Sequence, residues 1–176
     1  MPGRLLLPAL ACLLIAPIAE ARQPAGPAAT VRLSPRALSL GVGDFTPLTP
    51  EGSAAMAQLL LNEHPSYRTP LHVHHRTDES FHVLEGRLTL FVDGAVRVLG
   101  PGDYAFIPRG TPHAQGNQTD KDAIALVTLA PGDFARFFHA RAELVKTTPP
   151  DHPDYGPRMR ALGQDHDIKI VGPPPF

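Results

Sequence analysis

Cysteine and tryptophan are nearly absent from this chain, which has a single cysteine, Cys12, and no tryptophan among its 176 residues. One cysteine cannot form an intramolecular disulfide, so the fold does not depend on a disulfide framework. Charge of either sign is also nearly balanced, with a formal net charge of −1 and no basic cluster. A balanced chain lacks the positive patch that binds nucleic acid, and we expect no nucleic-acid partner.

A long apolar run occurs only at the N-terminus, where residues 1–21 have the organisation of a secretory signal peptide. Arg4 supplies a positive charge, residues 5–18 are mostly apolar, and residues 19–21 form a small-x-small cleavage site. The run is too short and too rich in proline for a spanning helix, so we expect no membrane span in the mature chain. A lipoprotein anchor at Cys12 is a weaker alternative. We expect export to the periplasm or the extracellular space.

Proline (21) and glycine (15) are abundant and separate many short apolar segments, a composition typical of an all-β barrel with irregular ends. The length that remains after cleavage suits one domain. Four segments are predicted, namely a signal peptide (1–21), an N-terminal arm (22–53), a barrel (54–130), and a C-terminal helix with a proline-rich tail that packs on the barrel (131–176).

Short strands are predicted along the whole barrel segment, at residues 54–61, 79–84, 87–92, 95–99, 104–107, 113–117 and 123–129. Asp93-Gly94 predicts a two-residue hairpin turn, since such a turn needs positive φ. Residues 133–144 change to helical spacing and predict one short amphipathic helix, with Asp133 as its cap. Its phenylalanines would dock the helix on the barrel or cover the barrel mouth.

The tail after this helix predicts less regular structure. Residues 147–157 are rich in proline and predict a loop. Residues 158–163 predict a helical turn, and residues 168–171 a short strand.

Ligand-type side chains are concentrated in residues 72–86, HVHHRTDESFHVLEG. Alternate side chains of a strand share a face, so His72 and His74 point the same way. The polar residues 75–78 must turn or bulge, and Glu79 then begins a second strand. Two imidazoles and a carboxylate that converge inside a barrel suit divalent Fe, Mn, Ni, Cu or Zn better than Ca²⁺.

A second stretch, residues 102–117 (GDYAFIPRGTPHAQGN), places His113 at the start of another strand after a proline- and glycine-rich turn. Together the stretches match both halves of the cupin signature, Gly-x5-His-x-His-x4-Glu-x6-Gly and Gly-x5-Pro-x-Gly-x2-His-x3-Asn. The first glycine alone differs, because Ser66 stands in its place. The chain therefore resembles the cupin superfamily. Residues 131–138 (PGDFARFF) and 170–175 (IVGPPP) resemble the small quercetin 2,3-dioxygenase-like cupins.

The resemblance implies an all-β fold, a single cupin barrel of antiparallel jelly-roll type, with a short C-terminal helix. It implies that His72, His74, Glu79 and His113 hold one divalent transition metal, and that the protein is a homodimer. In the flavonol dioxygenases of this group the substrate hydroxyl is deprotonated and coordinated before dioxygen cleaves the ring, so Glu79 would be both ligand and general base. In an exported protein, intrinsic affinity favours Cu, Ni or Zn over Fe or Mn.

Three kinds of function remain open. The first is a metal-dependent, dioxygenase-type oxidoreductase that acts on a phenolic or enolisable small molecule. The second is a cupin isomerase or decarboxylase, and the third is a non-enzymatic metal- or ligand-binding module.

Other side chains near the signature have simpler interpretations. Phe81 and Phe106 are candidates for a substrate pocket, although aromatic residues inside a barrel are more often plain core. His75 is out of phase with the ligand face and is interpreted as a surface or ligand-orienting group, and His82 as structural. Arg109 is interpreted as a solvated turn residue.

Overall fold

The computed structural model describes residues 35–53 and 55–176. The expected signal peptide and the first part of the arm lie outside these residues. The strands are β1 (Leu38–Ser39), β2 (Gly43–Pro47), β3 (Ala57–Glu63), β4 (Leu71–Val73), β5 (Asp78–Glu85), β6 (Leu88–Val92), β7 (Ala95–Leu99), β8 (Tyr104–Ile107), β9 (His113–Gly116), β10 (Ala123–Ala130) and β11 (Lys169–Gly172). A 3₁₀ helix (Gly132–Ala135) and the helices α1 (Arg136–Thr147) and α2 (Tyr155–Asp165) lie between β10 and β11.

The strands form two antiparallel sheets that share one hydrophobic core. The order is β1-β2-β3-β10-β5-β8 in the six-stranded sheet and β11-β4-β9-β6-β7 in the five-stranded sheet. Leu61 and Phe81 from the first sheet and Leu90 from the second lie in the same buried cluster. The sheets do not close onto each other, so β8 and β7 remain edge strands. The predicted all-β jelly-roll architecture is confirmed.

Strand β10 organises the larger sheet, since it pairs with β3 on one side and β5 on the other. Burial alternates strictly along β3 and β10, as expected where one face of a sheet meets the core. In this register Glu79 lies opposite Leu129 of β10 and Ile107 of β8, both of which are buried. The pairing therefore holds Glu79 on the inward face of the sheet.

The described part of the arm belongs to the same sheet. Strand β2 pairs with β3, and β1 pairs with β2. Leu40 and Phe45 bury their side chains in the core. The arm therefore adds two strands and apolar surface to the barrel.

The C-terminal segment has two α-helices where the sequence predicted a single short one. Chain direction changes first through the 3₁₀ helix, so α1 begins at Arg136, and its N-cap is Ala135 rather than Asp133. Ala135 already has helical dihedral angles and makes no side-chain capping bond. The helix continues from the 3₁₀ turn, so it needs no polar cap at Asp133.

Helix α2 (Tyr155–Asp165) corrects the predicted loop and helical turn in this region. Pro157 lies in the first turn of the helix, where a missing N–H costs no hydrogen bond. Met159 and Leu162 pack against the hydrophobic core. Burial of these two side chains stabilises a helix in a segment whose proline content predicts a loop.

The hairpin predicted at Asp93-Gly94 is confirmed. Both residues have positive φ, 53° and 73°, and they join the antiparallel strands β6 and β7. This is the backbone geometry that matches the right-handed twist of the flanking strands.

Positive φ also accounts for the glycines of the signature. Gly86, Gly102 and Gly110 have φ of 73°, 89° and 85°. Ser66, which replaces the first signature glycine, has φ of 70°. An L-residue in this conformation costs about 1–2 kcal/mol. Ser66 therefore keeps the backbone conformation of the signature glycine but is strained in it.

Among residues 35–53 and 55–176, neither helix has the length and apolar character needed to cross a membrane.

We predict that Ser66→Gly raises the free energy of unfolding by about 0.5–1 kcal/mol, because relief of the left-handed strain exceeds the added entropy of the unfolded chain. Ser66 is exposed, so the change removes no buried contact. Urea denaturation of both proteins measures the difference.

Gly86→Ala is the matched control with the opposite sign. Its φ is 73°, and an added Cβ would collide with the carbonyl oxygen of Asp122. A destabilised Gly86→Ala together with an unchanged or destabilised Ser66→Gly would show that Ser66 is not strained.

Candidate metal centre

Four buried ligand-type side chains meet inside the barrel. His72 lies in β4 and His113 at the start of β9, both in the five-stranded sheet, and His74 follows β4 directly. Glu79 reaches them from β5 of the other sheet. One ligand atom from each residue lies within 4.8 Å of the others. The cluster therefore forms only when the two sheets pack face to face with these positions opposite each other.

Strand pairing explains how these positions come together. His72 is paired directly with His113 across β4 and β9, and their ring centroids lie 4.4 Å apart. Val73, between the two histidines, points to the opposite face, as strand alternation requires. The turn at residues 74–77 then carries the chain into β5, which positions Glu79. All four sequence-predicted ligand positions lie in one cluster.

The histidine rings are oriented by backbone carbonyls. The Nδ1 atoms of His72, His74 and His113 donate to the carbonyl oxygens of Pro70, Asp167 and Thr111, at 2.9, 3.1 and 3.0 Å. A carbonyl oxygen can only accept, so Nδ1 carries the hydrogen. Each Nε2 is then the ring nitrogen that faces the cluster. This tautomer is the one that binds a metal through Nε2.

The cluster has the electrostatics of a cation site. Burial, followed by the neighbouring histidines, lowers the pKa of His72 to about 3, so His72 is neutral at physiological pH. Burial also lowers the pKa of His74. Burial alone would raise the pKa of Glu79, but the hydrogen bond from His113 and the nearby imidazoles hold it below its usual value. The centre therefore combines the imidazoles of His72 and His74, whose neutral form is favoured, with a carboxylate.

His113 and Glu79 form the tightest contact of the cluster, with Nε2 of His113 3.1 Å from Oε2 of Glu79. The Nε2 atom of His74 lies 3.6 Å from the same oxygen. Burial would lower the pKa of His113, but its hydrogen bond with Glu79 raises it. A divalent ion would take the place of the proton that this pair shares, which is why the donor set fits a metal.

Asp167 fixes the turn that carries His74. Its carboxylate accepts hydrogen bonds from the backbone N–H of His75 (3.2 Å) and of Arg76 (2.9 Å) and from the hydroxyl of Thr77 (3.2 Å). Its own carbonyl oxygen orients His74. Asp167 adopts φ of 64°, so the backbone turns sharply where it meets the cluster. The segment after α2 thus holds the histidine turn in place.

A cavity of about 190 Å³ opens beside the cluster. Its lining includes His72, His74 and Glu79. Aromatic residues of the C-terminal segment form its apolar wall, namely Phe134, Phe137 and Phe138. The ring centroid of Phe134 lies 4.4 Å from that of His74. The phenylalanines therefore dock the helix and also shield the cluster from water.

The candidate pocket residues Phe81 and Phe106 do not line this cavity. Phe81 is completely buried in the core between the sheets. Phe106 is 55% exposed, because β8 alternates and turns Ala105 and Ile107 inward instead. The expected pocket role of Phe81 and Phe106 therefore does not hold for this cavity. His82 is also exposed, on the outer face of β5.

Two interpretations of polar residues gain detail from the structure. His75 is exposed and contacts Asp167 through its backbone only. Arg109 is exposed, but it is ion-paired with Asp78, its Nη2 lying 2.7 Å from Oδ2. The hydrogen bonds from Arg109 lower the pKa of Asp78 to about 2. Arg109 thus joins the turn after β8 to the start of β5, next to Glu79.

Sequence reasoning missed Arg141 and Asp167. Arg141 lines the cavity and is 8% exposed. Its burial could have been predicted from the sequence. Arg141 follows Phe137 by four residues and Phe138 by three, so it lies on the apolar face of α1. A charged residue on an apolar face needs an explanation. For Asp167, no local pattern indicates contact with a turn that lies 90 or more residues earlier.

Comparisons with known proteins identify the family of this chain. A family model described as the cupin domain matches residues 60–129, which contain all four cluster residues. An uncharacterised protein of Aquifex aeolicus is 33% identical over 91 residues, a match that covers 46% of this chain and 74% of that protein. The chain belongs to the cupin family. Its His3Glu cluster is a candidate metal site of this cupin.

Two further similarities are narrower. Quercetin 2,3-dioxygenase of Bacillus subtilis is 39% identical over 88 residues, which is 50% of this cupin and only 24% of that enzyme. The crystal structure of a cupin 2 conserved barrel domain protein from Salinispora arenicola superposes with a TM-score of 0.51 at 24% identity. It covers 64% of this chain and 99% of that protein. The structural similarity shows the fold alone.

We predict that Asp167→Ala weakens the binding of Zn²⁺ by about 10- to 100-fold, because the turn that carries His74 loses its anchor. The affinity is measured by competition with a chromogenic chelator.

Asp165→Ala is the matched control, since Asp165 is exposed at the end of α2 and the change in charge is the same. Equal affinities of the two variants would show that the Asp167 contacts do not support the cluster.

Proposed function

We propose that this cupin is a metal-dependent oxidoreductase of the dioxygenase type, acting on a phenolic or other enolisable small molecule. The observation that carries the proposal is the buried His3Glu cluster at the wall of an aromatic-lined cavity. Similarity to quercetin 2,3-dioxygenase over half of the chain supports it. The match spans 24% of that enzyme, so activity and substrate are proposals for this chain.

The donor set supports a transition metal. Three imidazole nitrogens and one carboxylate are ligands that suit Cu, Ni, Zn, Fe or Mn, and we propose Cu, Ni or Zn ahead of Fe and Mn for an exported protein. His72, His74, Glu79 and His113 would hold the ion. A bound metal would supply Lewis-acid chemistry to a substrate oxygen or to dioxygen.

Glu79 is proposed to accept the proton of the substrate hydroxyl as well as to bind the metal. It is the one carboxylate that lines the cavity, within the part of the chain that the structure describes. Its lowered pKa keeps it ionised near neutrality, so it is available as a base but a weak one. Exclusion of water by Phe134 and Phe137 would strengthen its interaction with the incoming proton.

We predict that Glu79→Gln retains metal but lowers dioxygen consumption with phenolic substrates by about 100-fold or more, because the amide cannot accept the proton. The protein is loaded with each candidate metal in turn. Metal content is measured by elemental analysis and dioxygen uptake with an electrode, using single-ring and larger enolisable phenols.

Glu85→Gln is the matched control, because Glu85 is exposed at the end of the same strand. His74→Ala is expected to lose the metal as well as activity. Unchanged dioxygen uptake by metal-loaded Glu79→Gln would remove the base role. Tight metal binding by the wild type, without dioxygen uptake on any of these phenols, would favour a metal- or ligand-binding module instead.

We also propose that the protein is exported and acts as a homodimer. The N-terminal sequence pattern of residues 1–21 supports export. Exposed apolar side chains near the edge of the larger sheet, Leu84, Tyr104 and Phe106, offer a surface for a second copy. Native mass spectrometry of protein from the periplasmic fraction is expected to give a dimer of chains that begin at Arg22. An uncleaved or monomeric protein would contradict the corresponding proposal.

A further inference from the structure

We propose that Arg141 is an anion-recognition residue of the cavity, and that the substrate is a small organic carboxylate of about one ring or less. The inference deepens the proposed function, since it names the substrate class for the same cavity. It depends on the environment of Arg141 and on the size of the cavity.

Arg141 projects from α1 into the barrel interior. It is 8% exposed and lines the same cavity as His72, His74 and Glu79. Its Nη1 donates to the hydroxyl oxygen of Tyr67 at 3.3 Å, and its Nη2 donates to the carbonyl oxygen of Leu40 at 3.1 Å. Its Nε has no hydrogen-bond partner. A guanidinium has five N–H donors, so Nη1 and Nη2 each keep one N–H group beyond these two hydrogen bonds.

The positive charge of Arg141 is not neutralised by an ion pair. In residues 35–53 and 55–176 no carboxylate lies within ion-pair distance of it. Glu63 is also buried in the barrel, but neither of its carboxyl oxygens has a hydrogen-bond partner. Burial, followed by the charge of Glu79, raises the pKa of Glu63 well above its usual value, and the charge of Arg141 offsets only part of this rise, so the neutral acid is favoured. A buried, uncompensated guanidinium attracts an anion.

The surroundings of Arg141 suit a carboxylate with a short organic body. Tyr67, Gln115 and Tyr155 also line the cavity and provide further polar groups, and Arg68 lines it as a second, exposed cation. The rest of the wall is mainly apolar, with three phenylalanines, Met159 and Ile168. The cavity volume of about 190 Å³ is below the roughly 300 Å³ at which pockets for drug-sized ligands begin. A multi-ring flavonol therefore fits less well than a single-ring hydroxy acid or an aliphatic enolisable acid.

The test compares 4-hydroxybenzoate with its methyl ester, two single-ring phenols that differ in the carboxylate charge. Binding is measured by isothermal titration calorimetry to the Zn²⁺-loaded protein and to the metal-free protein. The acid is expected to bind wild type about 10- to 100-fold more tightly than the ester, the range for hydrogen bonds to a charged group. Arg141→Gln should abolish this preference, and Arg141→Lys should retain part of it.

Arg136→Gln is the matched control, because Arg136 is exposed on the same helix and the change in charge is identical. Equal binding of acid and ester by wild type would overturn the proposal and assign Arg141 to holding Leu40 and Tyr67. A preference that persists in Arg141→Gln would overturn it as well. If Arg141→Gln does not fold, the proposal is tested by the preference of the wild type for the acid over the ester and by the part of this preference that Arg141→Lys retains.

Failure of the proposed dioxygenase activity gives a different result. In that case dioxygen uptake is absent, while the preference for the acid is unchanged, because it is measured without turnover and also without metal.

Discussion

Burial of four ligand-type side chains within an apolar core is the constraint on which this structure depends. Removing imidazoles and a carboxylate from water is costly unless hydrogen bonds or a metal compensate. The protein compensates in part by fixing each histidine Nδ1 on a backbone carbonyl. The Nε2 atoms and Glu79 are then left facing one another at short range. The contact between His113 and Glu79 compensates part of that inner side, and the remaining donor atoms form a set that could hold a metal ion.

The C-terminal segment makes this arrangement possible. The 3₁₀ helix and α1 bring Phe134, Phe137 and Phe138 over the cluster, and the chain after α2 returns Asp167 to the histidine turn. Strand β11 then pairs with β4, the strand of His72. A segment with no metal ligand of its own therefore orients one ligand, excludes water and completes the sheet. Its loss would leave the cluster residues present but poorly held.

Much of the fold and the cluster could be predicted from the sequence, because local rules determine them. Strand alternation places His72 and His74 together, and the need for positive φ explains Asp93-Gly94 and the signature glycines. The pocket could not be predicted in the same way. The pairing of β8 with β5 determines that Phe106 is exposed. From the sequence alone, either set of alternate residues in β8 could face the core, because a shift of one residue exchanges the two faces.

Long-range contacts were the other limit. Helix α2 is stabilised by packing of Met159 and Leu162 against the core. It was not predicted at its full length because the proline in its first turn favours a loop. Asp167 contacts Arg76 and Thr77 across 91 and 90 residues, which no local pattern encodes. These interactions follow from packing, so they become visible only when the tertiary structure is known.

The residues that line the cavity come from two parts of the chain. The cluster lies within residues 60–129, the region shared with the cupin family model, whereas Arg141 and Tyr155 lie beyond it in the helical segment. Similarity within the barrel therefore bears on metal binding and says little about which molecule enters the cavity. Substrate choice would be determined by residues that α1 and α2 add. A cupin could thus keep one metal chemistry and change its substrate by altering the helices alone.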